Sequence, residues 1–143
     1  MSGVSLSRRE REVFASLATA VVAPAGALPA VGATGTVPAF AALLERSPAV
    51  NRAGLRALLA LIELAPLLQG RGARFSRLPA TERTAFLTAA QRGGGVRGRL
   101  VHALVAVAKL SYYGEDPVMR ALGYDPDAVV ARGRELRRAE GRW

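Results

Sequence analysis

The chain has 143 residues, a formal net charge of +9, no cysteine and a single histidine, His102. Its length suits one domain over residues 1–143, with a core covering roughly 70% of the surface that the unfolded chain exposes. The missing cysteines exclude disulfides, thiolate metal sites and a cysteine nucleophile, and one histidine excludes a multi-histidine metal centre.

Ser7 and Glu10 have the spacing of a capping box and open the first predicted helix. Val13, Phe14, Leu17 and Val21 then make one apolar face before Pro24. Ser7-Arg8-Arg9 faintly resembles a twin-arginine export signal, but Glu10 and Glu12 lie where such a signal avoids acids. Helix capping is the better reading, and a cytoplasmic location is the expectation. Ala25 to Val37 consists largely of Ala, Gly, Pro and Thr without a period, and is expected to be a flexible or extended connector.

A short helix is predicted from Pro38 to Arg46, with Phe40, Leu43 and Leu44 inward. Ser47-Pro48 reads as an N-cap followed by a proline in the first turn of a helix running to Leu68. Leucines surround that helix on most sides, which predicts a central, covered position. Pro66 should kink or loosen its last turn, and Gly70 and Gly72 end it.

The next helix starts at Leu78-Pro79, turns Phe86 and Leu87 inward, and stops at Gly93-Gly94-Gly95. Leu100, Val101, Leu104, Val105, Ala108 and Tyr112 repeat at helical spacing and give a second mostly buried helix to about Tyr113. Asp116-Pro117 and Asp125-Pro126 each read as an N-cap acid before a proline, starting a one-to-two-turn helix and a C-terminal helix. No stretch alternates with period two. The predicted fold is all-α, a compact bundle of about six helices around two central, mostly buried ones. No stretch reaches the length of a membrane span.

The candidate chemistry is sparse. Glu63 lies in the most apolar helix and is a candidate acid or base, unless it marks that helix's one solvent-facing stripe or pairs with a nearby arginine. His102 has Arg99 and Lys109 near its face, a poor setting for a metal. Glu115, Asp116, Asp125 and Asp127 lack the ligand register of an EF-hand loop. The loops Gly70 to Arg74 and Arg92 to Arg99 are basic and glycine-bearing, but match neither a P-loop nor a dinucleotide fingerprint. No catalytic, cofactor-binding or metal-binding residue is assigned. Arg132, Arg134, Arg137 and Arg138, with Trp143, form the densest basic cluster and support an alternative reading as a nucleic-acid-binding module.

The order of segments carries more information than any one of them. Ser7 to Pro24, Leu55 to Pro66, Arg74-Phe75-Ser76-Arg77-Leu78-Pro79, and Tyr112-Tyr113-Gly114-Glu115-Asp116-Pro117 through Leu122-Gly123-Tyr124 resemble the gluconate 2-dehydrogenase subunit 3 family. That family comprises small helical accessory subunits of flavin-dependent glucose–methanol–choline oxidoreductases. The resemblance implies a non-catalytic subunit, itself without a cofactor, that binds and stabilises a larger flavoprotein and, in exported members, helps it leave the cell folded. It also points to Arg74, Phe75, Tyr112, Tyr113, Met119 and Tyr124 as partner-contact residues. Phe75 and Tyr112 have an alternative role in the core, because aromatic residues at helical spacing usually pack inward.

Overall fold

The structure is a computed structural model that describes residues 5–141. Trp143, expected to close the basic C-terminal cluster, lies outside the described residues. Among those described there are seven α-helices, two short 3-10 turns and no strand. No helix is long and apolar enough to cross a membrane among these residues.

Helix α1 spans Arg8–Val22 and opens with both halves of the capping box. The Glu10 backbone N–H donates to Ser7 Oγ at 3.2 Å, and the Ser7 N–H donates to Glu10 Oε2 at 2.8 Å. Val13, Phe14, Leu17, Ala18, Ala20 and Val22 are buried. Because these positions occupy more than one face, α1 packs simultaneously against the helices before and after the chain's midpoint: α2 (Thr36–Arg46), α3 (Ala49–Leu68), α4 (Ala80–Arg92) and α5 (Gly95–Tyr113). Phe14 and Phe40 of α2 stack at the centre, with ring centroids 3.8 Å apart and planes 8° from parallel. Helix α5 packs on α1, α2 and α4 and buries Gly98, Val101, Leu104, Val105, Ala108 and Tyr112, whereas Leu100, expected inward, is 48% exposed.

The expectation of two covered apolar helices is therefore corrected. In α3 only Leu59, Ile62, Glu63 and Pro66 are buried. These lie at i, i+3, i+4 and i+7, one stripe of the helix. Leu61, Leu64, Leu67 and Leu68 fall outside that stripe and are exposed, Leu68 at 83%. Pro66 has no N–H to donate within the helix, and the end of α3 loosens into turns, with the Arg71 N–H reaching the Pro66 carbonyl at 2.9 Å. Gly70, at φ 76°, takes the left-handed conformation that reverses the chain there.

The segment from Ala25 to Val37 contains a 3-10 turn at Val31–Ala33, and Val31 is buried. Tyr112 Oη donates to the Pro29 carbonyl at 2.7 Å, and the Gly35 N–H donates to Glu115 Oε2 at 3.0 Å. The stretch is thus anchored by Tyr112 in the last turn of α5 and by Glu115 just beyond it. Helix α2 begins at Thr36, two residues before the predicted start, which places Pro38 in the first turn where its missing N–H has no intrahelical partner to lose.

Two further caps differ from expectation. Ser47 does not cap α3; it ends α2, and its hydroxyl donates back to the Leu43 carbonyl at 2.7 Å, leaving Pro48 at the N-cap of α3. Asp116 does not cap α6 (Asp116–Ala121), because Glu115 occupies that N-cap and its carbonyl accepts from the Val118 and Met119 N–H groups. Asp125 does cap α7 (Pro126–Ala139), its Oδ1 accepting from Asp127 and Ala128 N–H at 3.0 and 3.2 Å. The α4–α5 connection, whose glycines suit either a hinge or a tight turn, is a tight turn, with Gly94 at φ 66°, ψ −173°, a conformation open only to glycine.

Candidate functional site

The aromatic turn after α5 divides its two adjacent tyrosines between interior and surface. Successive helical residues are about 100° apart, so one neighbour points inward while the other does not. Tyr112 is fully buried, and burial, with Tyr113 alongside, pushes its phenol above the ordinary value. The two rings meet edge to face at 5.2 Å, and Tyr113 is 37% exposed. Past α6, the Tyr124 N–H donates to the Met119 carbonyl at 2.9 Å, closing the turn through Gly123 and leaving Tyr124 and Leu122 exposed. Met119 is half-buried.

Phe75, the other aromatic in the expected contact set, is also fully buried, tilted against Phe86 with centroids 5.8 Å apart. Phe75 and Tyr112 are therefore core residues with no side-chain surface to offer a partner. Tyr113, Tyr124, Met119 and Arg74 keep accessible side-chain surface, but Arg74 does not share the tyrosine turn.

Arg74 instead borders a cavity of about 450 Å³ between the start of α1 and the middle of α3. Its polar wall consists of Ser7, Arg9, Glu10, Arg56, Glu63 and Arg74. Arg56 grips Glu10 with two bonds, Nε to Oε1 at 2.5 Å and Nη2 to Oε2 at 2.9 Å. This guanidinium is the main reason the Glu10 carboxyl drops from 4.5 to about 2; partial burial opposes the drop, and the Ser7 N–H assists it. The same contact raises Arg56 above its ordinary value. Glu63 is buried and accepts from the Ser76 N–H at 2.9 Å and the Ser76 hydroxyl at 2.8 Å, with Arg9 Nη2 at 3.9 Å. Both carboxylate oxygens are thus engaged in holding the 3-10 turn Phe75–Arg77 against α3.

His102 does not line this cavity; it is exposed on α5, with its Nδ1 3.4 Å from Gln91 Nε2. The structure therefore does not bring Glu63 and His102 into one cavity. Among the described residues, no three His, Asp or Glu side chains are placed to hold a metal ion.

Sequence reasoning singled out Glu63 and Arg74 but not Glu10, Arg9 or Arg56 as neighbours. Glu10 and Arg56 are separated by 46 positions, so their pairing follows from the crossing of α1 over α3 and leaves no signature in spacing. Glu10 has a local duty in the capping box, and that duty orients it for the second one. No protein-family model, curated protein or solved structure matches the chain.

Proposed function

We propose that this chain is a non-catalytic accessory subunit, holding neither flavin nor metal, that binds and stabilises a larger flavin-dependent oxidoreductase. The observation that carries the reading is α7, fourteen residues long, in which no side chain is buried and Val129, Val130 and Leu136 are about half exposed. A helix of this length is marginal alone in water, and helices in proteins draw most of their stability from a packed face. An unpacked amphipathic helix that follows directly on the exposed Leu122 and Tyr124 is a surface suited to burial against another protein. The segment order resembling gluconate 2-dehydrogenase subunit 3 supplies the class of partner. A subunit that binds only the folded flavoprotein stabilises it by mass action.

Co-expression with a flavin-dependent oxidoreductase encoded beside this chain tests the reading by size-exclusion chromatography and thermal unfolding of the flavoprotein. Co-elution with a raised unfolding temperature is expected. Separate elution, with the flavoprotein's yield and stability unchanged, overturns it.

The second reading, a basic nucleic-acid-binding module, draws on the exposure of Arg132, Arg134, Arg137 and Arg138 along α7. It requires affinity for duplex or single-stranded nucleic acid to fall steeply with salt, through counterion release. A flat salt response removes it.

A further inference from the structure

Two of the leucines that α3 leaves exposed, Leu61 and Leu68, border one groove. Leu58, Leu61 and Leu68 of α3 face Val96 and Leu100 of α5 across an apolar groove of about 560 Å³, with Phe86 of α4 in its wall. Leu61 is 61% exposed, Leu68 83%, Val96 65% and Leu100 48%, while Ile62, Phe86 and Val101 beneath them are nearly closed off from solvent. An accessible apolar groove with a packed floor is a recurring feature of protein-binding surfaces.

A charged end adjoins it. Arg97 lines both this groove and a smaller neighbouring cavity of about 230 Å³, which Arg71 also lines. The Arg71 guanidinium lies 5.8 Å from the centre of the Phe86 ring, which holds it at the edge of the apolar surface. No acidic residue lines either cavity, and neither arginine forms an ion pair among the described residues.

We propose that this groove receives an acidic amphipathic helix of the partner protein, its apolar side chains seated along α3 and α5 and its carboxylates against Arg71 and Arg97. A helix is favoured because the groove walls are themselves helices whose backbone groups are already paired. They offer no ladder to an extended segment, whereas a helix satisfies its own N–H and carbonyl groups. Acidic character follows from the two arginines, which gain charge-assisted bonds with carboxylates. The same argument disfavours a second copy of this chain. Each copy carries +9, and α7, the unpacked amphipathic helix, brings Arg132, Arg134, Arg137 and Arg138 against only Asp127 and Glu135.

The identity of the partner rests on the accessory-subunit reading, but the groove can be tested apart from it. In the co-expressed complex, Leu100→Glu is expected to weaken binding by at least about tenfold, and Arg97→Glu by about tenfold with a shallower salt dependence. Both side chains reach solvent, so circular dichroism and thermal unfolding of the isolated variants should match the parent chain.

Independently, a synthetic helix with leucines on one face and glutamates on the other is titrated by fluorescence anisotropy against a version with lysines in place of glutamates. The acidic peptide should bind the parent chain more tightly, and Arg97→Glu should abolish or reverse that preference. If the parent chain fails to join a flavoprotein yet prefers the acidic peptide, the accessory-subunit reading falls and the groove assignment stands. Equal binding of the two peptides, a Leu100→Glu variant that binds like the parent, or a homodimer of the parent chain that Leu100→Glu dissolves would each overturn the groove assignment.

Discussion

Helices α1 and α3 exchange the roles that their compositions announce. Helix α3 is the richer in leucine, yet it presents one buried stripe and leaves Leu61, Leu64, Leu67 and Leu68 in solvent. Helix α1 carries five charged residues in its first five positions, yet buries Phe14, Leu17 and Ala18 completely and touches each of α2 to α5. The difference shows that a helix's place in a bundle is set by how many neighbours the topology wraps around it, not by how apolar it is. Even the small residues Ala18 and Ala20 of α1 are buried, whereas Leu61 and Leu68 of α3 are left largely exposed.

That contrast is most easily broken at Phe14. Phe14→Ala should cost about 3–5 kcal/mol, since it removes a fully buried ring and its stacking partner's contacts. A loss below about 1 kcal/mol in a urea titration would mean that α1 is not the centre. Next in size are the two polar links that tie α3 into the bundle. Glu63→Ala should cost about 1.5–3 kcal/mol by leaving Ser76 without its charged acceptor. Restoring most of that loss with Glu63→Gln would identify the role as hydrogen bonding rather than charge.

The Glu10–Arg56 link should be smaller and pH-dependent. Glu10 has its folded value lowered from 4.5 to about 2, so its contribution is present above the unfolded value and is lost as pH falls from about 4.5 towards 2. Because Arg56 is partly exposed, solvent screening reduces the effect, and Arg56→Met should cost about 1–2 kcal/mol at neutral pH. Denaturant titrations across a pH series should show the variant and the parent converging on acidification. A constant difference would mean that Arg56 stabilises the fold by packing. Smallest of all, Leu68→Ser should change stability by no more than about 0.5 kcal/mol, as expected for a side chain that contributes little to the folded monomer.

Much of the architecture was legible because it is written locally. The Ser7 and Glu10 box, the Asp125 cap, the inward Phe86 and Leu87 and the glycines between α4 and α5 all depend on residues within a few positions of one another. What the sequence hid was relational. Periodicity shows that α3 has apolar residues on many sides but cannot show that neighbouring helices cover only one. Asp116 and Ser47 looked like caps by type, and neighbouring residues took the N-cap positions. At the candidate surface, Tyr112 and Tyr113 are identical in type and adjacent in sequence, and only the direction of α5 relative to the connector separates the buried ring from the exposed one. The Arg71 and Arg97 end of the groove joins loops that were read separately as basic and glycine-rich.

The latches on residues 25–37 also set an order of events during synthesis. Tyr112 lies 83 positions beyond Pro29, and Glu115 lies 80 beyond Gly35, so neither bond can form until α5 has been made. A nascent chain carrying only α1 to α4 would leave the connector without these two restraints, since contacts of such separation form only after the intervening chain is available. Chain termination before residue 112 should therefore leave this stretch open to proteolysis, even where α1 is already helical, and completion of the tyrosine turn would be the step that seals the N-terminal half.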